Sequence, residues 1–299
     1  MEQLIAPKKY VNPMIDVAFK YLFGTEKNKH LLKGLLENVF KREILDITYD
    51  NTEQIGETME SRNAYFDVIC KSSDGHEFIV ECQVHPQKYF TERAIFYSSR
   101  VIANQAPKGD WDYNFRPVYF LGLVEFELPD SVGKADGYIQ SFSIRNNVNG
   151  APMTDKVRYV FMEVEPFDKS YDECSTFEEK FLYYMKNLPT FVEKPDTHND
   201  KYFEDLLMEA EYLKMDNETQ VQYERRVKEM RDAKNVEDYM IETSTAKGLE
   251  QGLKQGIEQG IEQGIALTIK ARTMIKEGRS VQEVCEATGL SKDDVLALQ

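Results

Sequence analysis

The chain has 299 residues, 41% hydrophobic and 30% charged, with a formal net charge of −15. That length buries a sizeable core as one large domain or two. No apolar run reaches the ~20 residues of a membrane helix, and the opening MEQLIAPKKY lacks a signal-peptide core. Cys70, Cys82, Cys174 and Cys285 include no CxxC pair, so neither a zinc site nor a disulfide framework is indicated, and a cytoplasmic location is expected. The charge is uneven: residues 1–120 carry 15 basic and 17 acidic side chains, against 22 and 35 in the remainder. A polyanion is therefore repelled far less by the first part than by the second.

Residues 12–24 (NPMIDVAFKYLFG) open with a cap-and-proline start and continue as an amphipathic helix. Ile15, Ala18, Phe19 and Leu22 form its apolar stripe, with Asp16 and Lys20 four apart on one flank, the spacing of an ordinary surface pair. A second helix is expected over 31–40 and an extended link over 44–49.

Residues 62–84 (RNAYFDVICKSSDGHEFIVECQV) read as two strands joined by a turn at Ser-Ser-Asp-Gly, whose residues tolerate hairpin angles. Period-two alternation puts Tyr65, Asp67 and Ile69 on one face of the first arm, and Ile79, Glu81 and Gln83 on one face of the second. If the turn pairs the arms as drawn, Asp67 and Glu81 share a side. Charges in so apolar a setting are costly unless paired or metal-bound. An acid facing Glu-x-Gln there is either a divalent-cation site or a hairpin with exposed acids.

The next helix, 89–103, carries Arg93, Tyr97 and Arg100 on roughly one side, arranged to follow a phosphate backbone or to form a plain solvated face. Strands are expected within 116–128, 138–144 and 157–164, a helix over 172–188 and a loop over 189–200, where His198 is polar surface. Beyond lie helices at 203–215 and 219–246, the latter interrupted near Lys234 and Asn235. Then comes KGLEQGLKQGIEQGIEQGIALTIK, with glycines at 248, 252, 256, 260 and 264. A four-residue period gives a slowly drifting glycine stripe beside Leu249, Leu253, Ile257, Ile261 and Ile265. Either this packs against another helix or it is a marginally helical linker. Residues 266–299 read as short helices capped by Ser280 and Ser291, with a turn at Gly289. Lys292-Asp293-Asp294 suits a small bundle or dimer element better than a DNA-reading helix-turn-helix.

With Asp16, Asp67 and Glu81-x-Gln83 in place, the chain resembles the recombination-promoting nuclease family, also described as PD-(D/E)XK nuclease family transposases. The resemblance runs through DVAFKYLFG, FDVICKSSDGHEFIVECQV, the helix with Arg93 and Tyr97, PVYFLGLVEFEL, TDKVRYVFMEVEPF, STFEEKFLYYMKNL and the glycine-glutamine repeat. It implies an α/β fold: a restriction-endonuclease-like mixed sheet flanked by helices, followed by an α-helical C-terminal region. The expected domains are a nuclease-like core at 1–190, a helical extension at 201–246, the repeat at 247–270 and a helical tail at 271–299. The implied activity is DNA cleavage with Mg²⁺, for which Mn²⁺ substitutes.

The resemblance assigns Asp67 and Glu81 to the metal, with Asp16 supplied by the first helix; the preference of a hard ion for oxygen adds the Cys82 backbone carbonyl. Gln83 stands where the superfamily signature has lysine and is expected to position a water or the phosphate by hydrogen bonds, so charge stabilisation falls to the metal, to Lys20 or to another cation. Arg93, Tyr97, Lys20 and Arg100 are the expected DNA contacts. A homo-oligomer through the C-terminal helices is expected, and no membrane partner. A nuclease fold that binds DNA or protein but cuts poorly is the alternative.

Overall fold

The computed structural model describes residues 9–50, 53–54, 64–65, 67–133 and 135–299. They form two compact units, 1–228 and 229–299.

The first unit opens with α1 (Asp16–Phe23) and α2 (Lys29–Phe40). The sequence predicts α1 from residue 12, but Asn12 Oδ1 accepts the Met14 N–H (2.9 Å), and this local turn delays the helix to Asp16. Strand β1 (Ile47–Tyr49) follows, then two-residue strands β2 (Glu53–Gln54) and β3 (Ala64–Tyr65), which pair with each other. The main sheet continues with β4 (Val68–Ser72) and β5 (Glu77–Gln83), the crossover helix α3 (Phe90–Ala103), β6 (Val118–Val124), β7 (Ile139–Ser143) and β8 (Val157–Glu163). Helices α4 (Phe177–Asn187) and α5 (Lys201–Glu209) follow and pack against α2.

The six strands run in the order β1-β4-β5-β6-β8-β7. Pairs β5/β6 and β6/β8 are parallel and the others antiparallel, so this is the expected mixed sheet flanked by helices. The hairpin register aligns Val68 with Val80 and Ile69 with Ile79, and the turn closes through Gly75 at φ 90°. The sequence starts the first arm at residue 64; the structure starts β4 at Val68 and gives Ala64–Tyr65 to another pair. Phe66, and the side chains of Ala64 and Tyr65, lie outside the described residues.

One face of the sheet packs Ile69, Ile79, Val118, Phe120, Val124 and Phe161 under Phe90, Ala94 and Val101 of α3. The other carries Phe78 and Tyr119, whose rings meet Phe40 of α2 at 5.7 and 5.0 Å. Parallel pairing aligns Glu81, Gly122 and Phe161 across three strands. A Cβ on Gly122 would lie 2.8 Å from the Phe161 ring, so glycine is what leaves room for that ring.

Helix α6 (Asn217–Lys276) begins in the first unit and ends in the second. The interruption expected near Lys234 and Asn235 does not occur. Neither residue lacks a backbone donor, and their modest propensity cost leaves the hydrogen-bond ladder intact. The glycine repeat is helical too; a Cβ at Gly248, Gly252, Gly256, Gly260 or Gly264 would meet nothing within 4 Å. The neighbouring Leu249, Leu253, Ile257, Ile261 and Ile265 are exposed.

In the second unit, α7 (Val281–Thr288) and α8 (Lys292–Ala297) fold back so that Val284 and Val295 bury Ala271 of α6. Ser280 and Glu283 form a reciprocal capping box, and Gly289 ends α7 in the left-handed conformation. No helix among the described residues is long and apolar enough to cross a membrane.

Gly122→Val forces either the Phe161 ring or β8 to move and is expected to destabilise the first unit by ~1–3 kcal/mol. Differential scanning calorimetry reads this directly; an unchanged midpoint would contradict the packing.

Candidate metal-binding carboxylate site

The β4–β5 register, extended by one residue, sets Asp67 opposite Glu81 on the face covered by α3. Along β5 the row runs from Ile79 in the core through buried Glu81 to half-buried Gln83. Two carboxylates thus stand side by side where apolar packing gives way to solvent.

Each is held differently. Asp67 Oδ2 accepts the Cys82 N–H at 2.9 Å, so a side chain, rather than a carbonyl of β4, partners this strand position. Lys20 Nζ lies 3.6 Å from Asp67 Oδ1. Glu81 is 5% exposed. Its Oε2 sits 3.7 Å from Arg93 Nη2, while its Oε1 is buried without a hydrogen-bond partner among the described residues. Strand alternation turns the Cys82 carbonyl toward the same edge as its N–H, because Glu77 and Gln83 bond to β6.

Burial and the neighbouring Asp67 charge push Glu81 up to about 8; the Arg93 guanidinium opposes this but does not win. Burial also raises Asp67, against the Cys82 N–H and Lys20, and the Asp16 charge adds to the rise. The pair therefore holds less negative charge than two free carboxylates and retains an unsatisfied oxygen. Such an arrangement is costly for the apo protein and suits a hard cation. The donors fit a divalent ion of the magnesium class.

Arg93 is the hub of the outer rim. Its Nη2 donates to Gln83 Oε1 at 2.8 Å and its Nη1 to Gln87 Oε1, while its guanidinium lies over the Phe90 and Tyr97 rings at 5.1 and 5.7 Å. Gln83 is committed at both ends, since its Nε2 donates to the His85 carbonyl at 3.0 Å. The Gln83 amide thus anchors Arg93.

The profile of the PD-(D/E)XK nuclease family transposases matches residues 13–240. The chain belongs to this family. No curated protein and no solved structure matches it significantly. The matched stretch includes the carboxylate pair, α3 and the start of α6, and the mixed sheet with its flanking helices fits the restriction-endonuclease-like fold.

Of the acids expected to converge, the structure brings Asp67 and Glu81 together. Asp16 is near enough for its charge to act on Asp67, but its Oδ1 pairs with Arg226 Nε at 3.1 Å. Among the described residues no three histidine, cysteine, aspartate or glutamate side chains form a ready ion cage. The surface pairing of Asp16 with Lys20 read from their spacing is also replaced: Lys20 turns to Asp67 and Asp16 to Arg226. Tyr97 lies beside Arg93, whereas Arg100 is two turns further along α3, roughly 10 Å away by helical rise. Sequence reasoning missed Arg226, which reaches Asp16 across a separation of 210 residues and carries no local pattern.

Glu81 binds a proton more tightly in the folded protein than at its ordinary 4.5, so it subtracts stability as pH rises from 4.5 through about 8. In metal-free protein, Glu81→Gln is expected to raise the thermal midpoint at pH 8 by at least ~2–4 °C. That gain should vanish at pH 4.5; a difference independent of pH would contradict the raised carboxyl.

Proposed function

We propose that this chain is a divalent-metal-dependent DNA endonuclease whose centre is the Asp67–Glu81 pair. The observation that carries the reading is the buried Glu81 Oε1, left without a partner among the described residues, beside a second carboxylate in a PD-(D/E)XK family member. Asp67, Glu81 and the Cys82 carbonyl would hold the ion, and Asp16 would complete its shell. A bound Mg²⁺, or Mn²⁺ in its place, supplies charge neutralisation at the phosphodiester and a more acidic water.

The chain's own residues do the rest. Lys20 is half-exposed and 3.6 Å from Asp67, so its ammonium can shift to a phosphate oxygen once the carboxylate has another counter-charge. Arg93, steadied by Gln83, Gln87 and the Tyr97 ring, presents a fixed guanidinium to the same phosphate. Arg100 extends this basic line along α3 toward neighbouring phosphates. The near-neutral first part admits DNA, and the acidic remainder discourages non-specific wrapping. The exposed Leu249–Ile265 row of α6 is the surface for homo-oligomerisation.

A second reading, a nuclease fold that binds DNA but cuts slowly, draws on Gln83, which offers no cation and whose amide is already engaged.

Plasmid cleavage separates the two. With Mg²⁺ or Mn²⁺, wild type is expected to nick or linearise supercoiled DNA, and Asp67→Ala and Glu81→Ala to lose on the order of a hundredfold. Equal residual activity in all three proteins would remove catalysis from this hairpin.

A further inference from the structure

The start of α6 grips the segment that carries Asp16. Upstream, Tyr10 bridges Glu211, the Val11 N–H donates to the Ala210 carbonyl (3.0 Å), and the Tyr212 N–H donates to the Lys9 carbonyl (2.9 Å). Lys27 pairs with Glu209 at 2.5 Å, and the Tyr21 hydroxyl donates to the Lys214 carbonyl at 3.0 Å. Two residues of α6, three apart and so on one face, finish the contact. Tyr223 Oη accepts the Asn12 N–H at 2.8 Å, and Arg226 Nε donates to Asp16 Oδ1 at 3.1 Å.

The Asp16 carboxylate is thereby divided. Oδ1 takes both Arg226 and the Val17 N–H (2.9 Å), leaving Oδ2 without a hydrogen bond among the described residues. The backbone around it is fixed on both sides, by the Asn12 turn before and the α1 ladder after. An exposed pair such as Asp16–Arg226 adds little to stability. What it does supply is orientation, since a carboxylate held through one oxygen presents the other in a defined direction.

Resting on the reading of Asp67 and Glu81 as a metal centre, we propose that Arg226 is a positioning residue. From a helix outside the α/β sheet it holds Asp16 so that the free Oδ2 serves the ion shared with that pair. This makes the beginning of α6, more than 140 positions after the hairpin in sequence, part of the nuclease centre.

Calorimetric titration of Mn²⁺ into the full-length metal-free protein tests this without any DNA. Arg226→Gln is expected to weaken Mn²⁺ binding by ~10-fold, Arg226→Lys by less, and Asp16→Asn by at least as much as Arg226→Gln. The deciding readout is the double variant. Because Arg226 acts through Asp16, adding Arg226→Gln to Asp16→Asn should cost nothing further, and the thermal midpoint of Arg226→Gln should stay close to wild type. Wild-type affinity in Arg226→Gln, or an equal loss in both backgrounds, would overturn the assignment while leaving the Asp67–Glu81 centre standing. A wild-type protein that takes up no Mn²⁺ overturns the centre and the assignment together.

Discussion

The placement of Asp67 beside Glu81 is the constraint on which the rest of the structure turns. It follows from the β4–β5 register, and a slip of one residue would send Glu81 to the opposite face and Cys82 into its place. The register is pinned by apolar rows on both faces of the hairpin, Ile69 and Ile79 under α3 and Phe78 against Phe40. Hydrophobic packing that has no chemical role thus fixes the relative position of two charged groups. The charges are expensive there, and the surroundings offset them only in part: one N–H on Asp67, Lys20 at 3.6 Å, and Arg93 at 3.7 Å from Glu81.

That incomplete compensation accounts for the shape of the rim. If Arg93 were fully engaged with Glu81, the carboxylate would be a structural ion pair and a poor ligand. Gln83 and Gln87 instead draw the guanidinium outward, and the Phe90 and Tyr97 rings support it there. A lysine at position 83 would set a second cation against Arg93, whereas the neutral amide holds it. Gln83 and the arginine on α3 are therefore one arrangement, with the fixed positive charge carried on the helix.

The hairpin was legible because turn residues and strict alternation specify register locally, and the family resemblance was legible because it rests on an ordered series of such segments. The strand boundary at Val68 was not, since Asp67 supplies the partner of the Cys82 N–H through its side chain, a contact that alternation cannot reveal. The continuity of α6 was also hidden: mid-range residues at 234–235 and repeated glycines weaken a helix without ending it. The partners of Asp16 and Lys20 were hidden for a different reason. Their spacing permits a local pair, but tertiary contacts with Arg226 and Asp67 win. Long-range pairing of this kind has no periodicity to betray it.

The proposed centre is one carboxylate pair, half-buried Asp67 and buried Glu81, receiving one hard cation. Anomalous diffraction from crystals soaked in Mn²⁺ tests that most directly. The expected result is a manganese peak within ligand distance, about 2.0–2.6 Å, of both Asp67 and Glu81 carboxylates. Ordered crystals with manganese elsewhere, or with none at this pair, would contradict it.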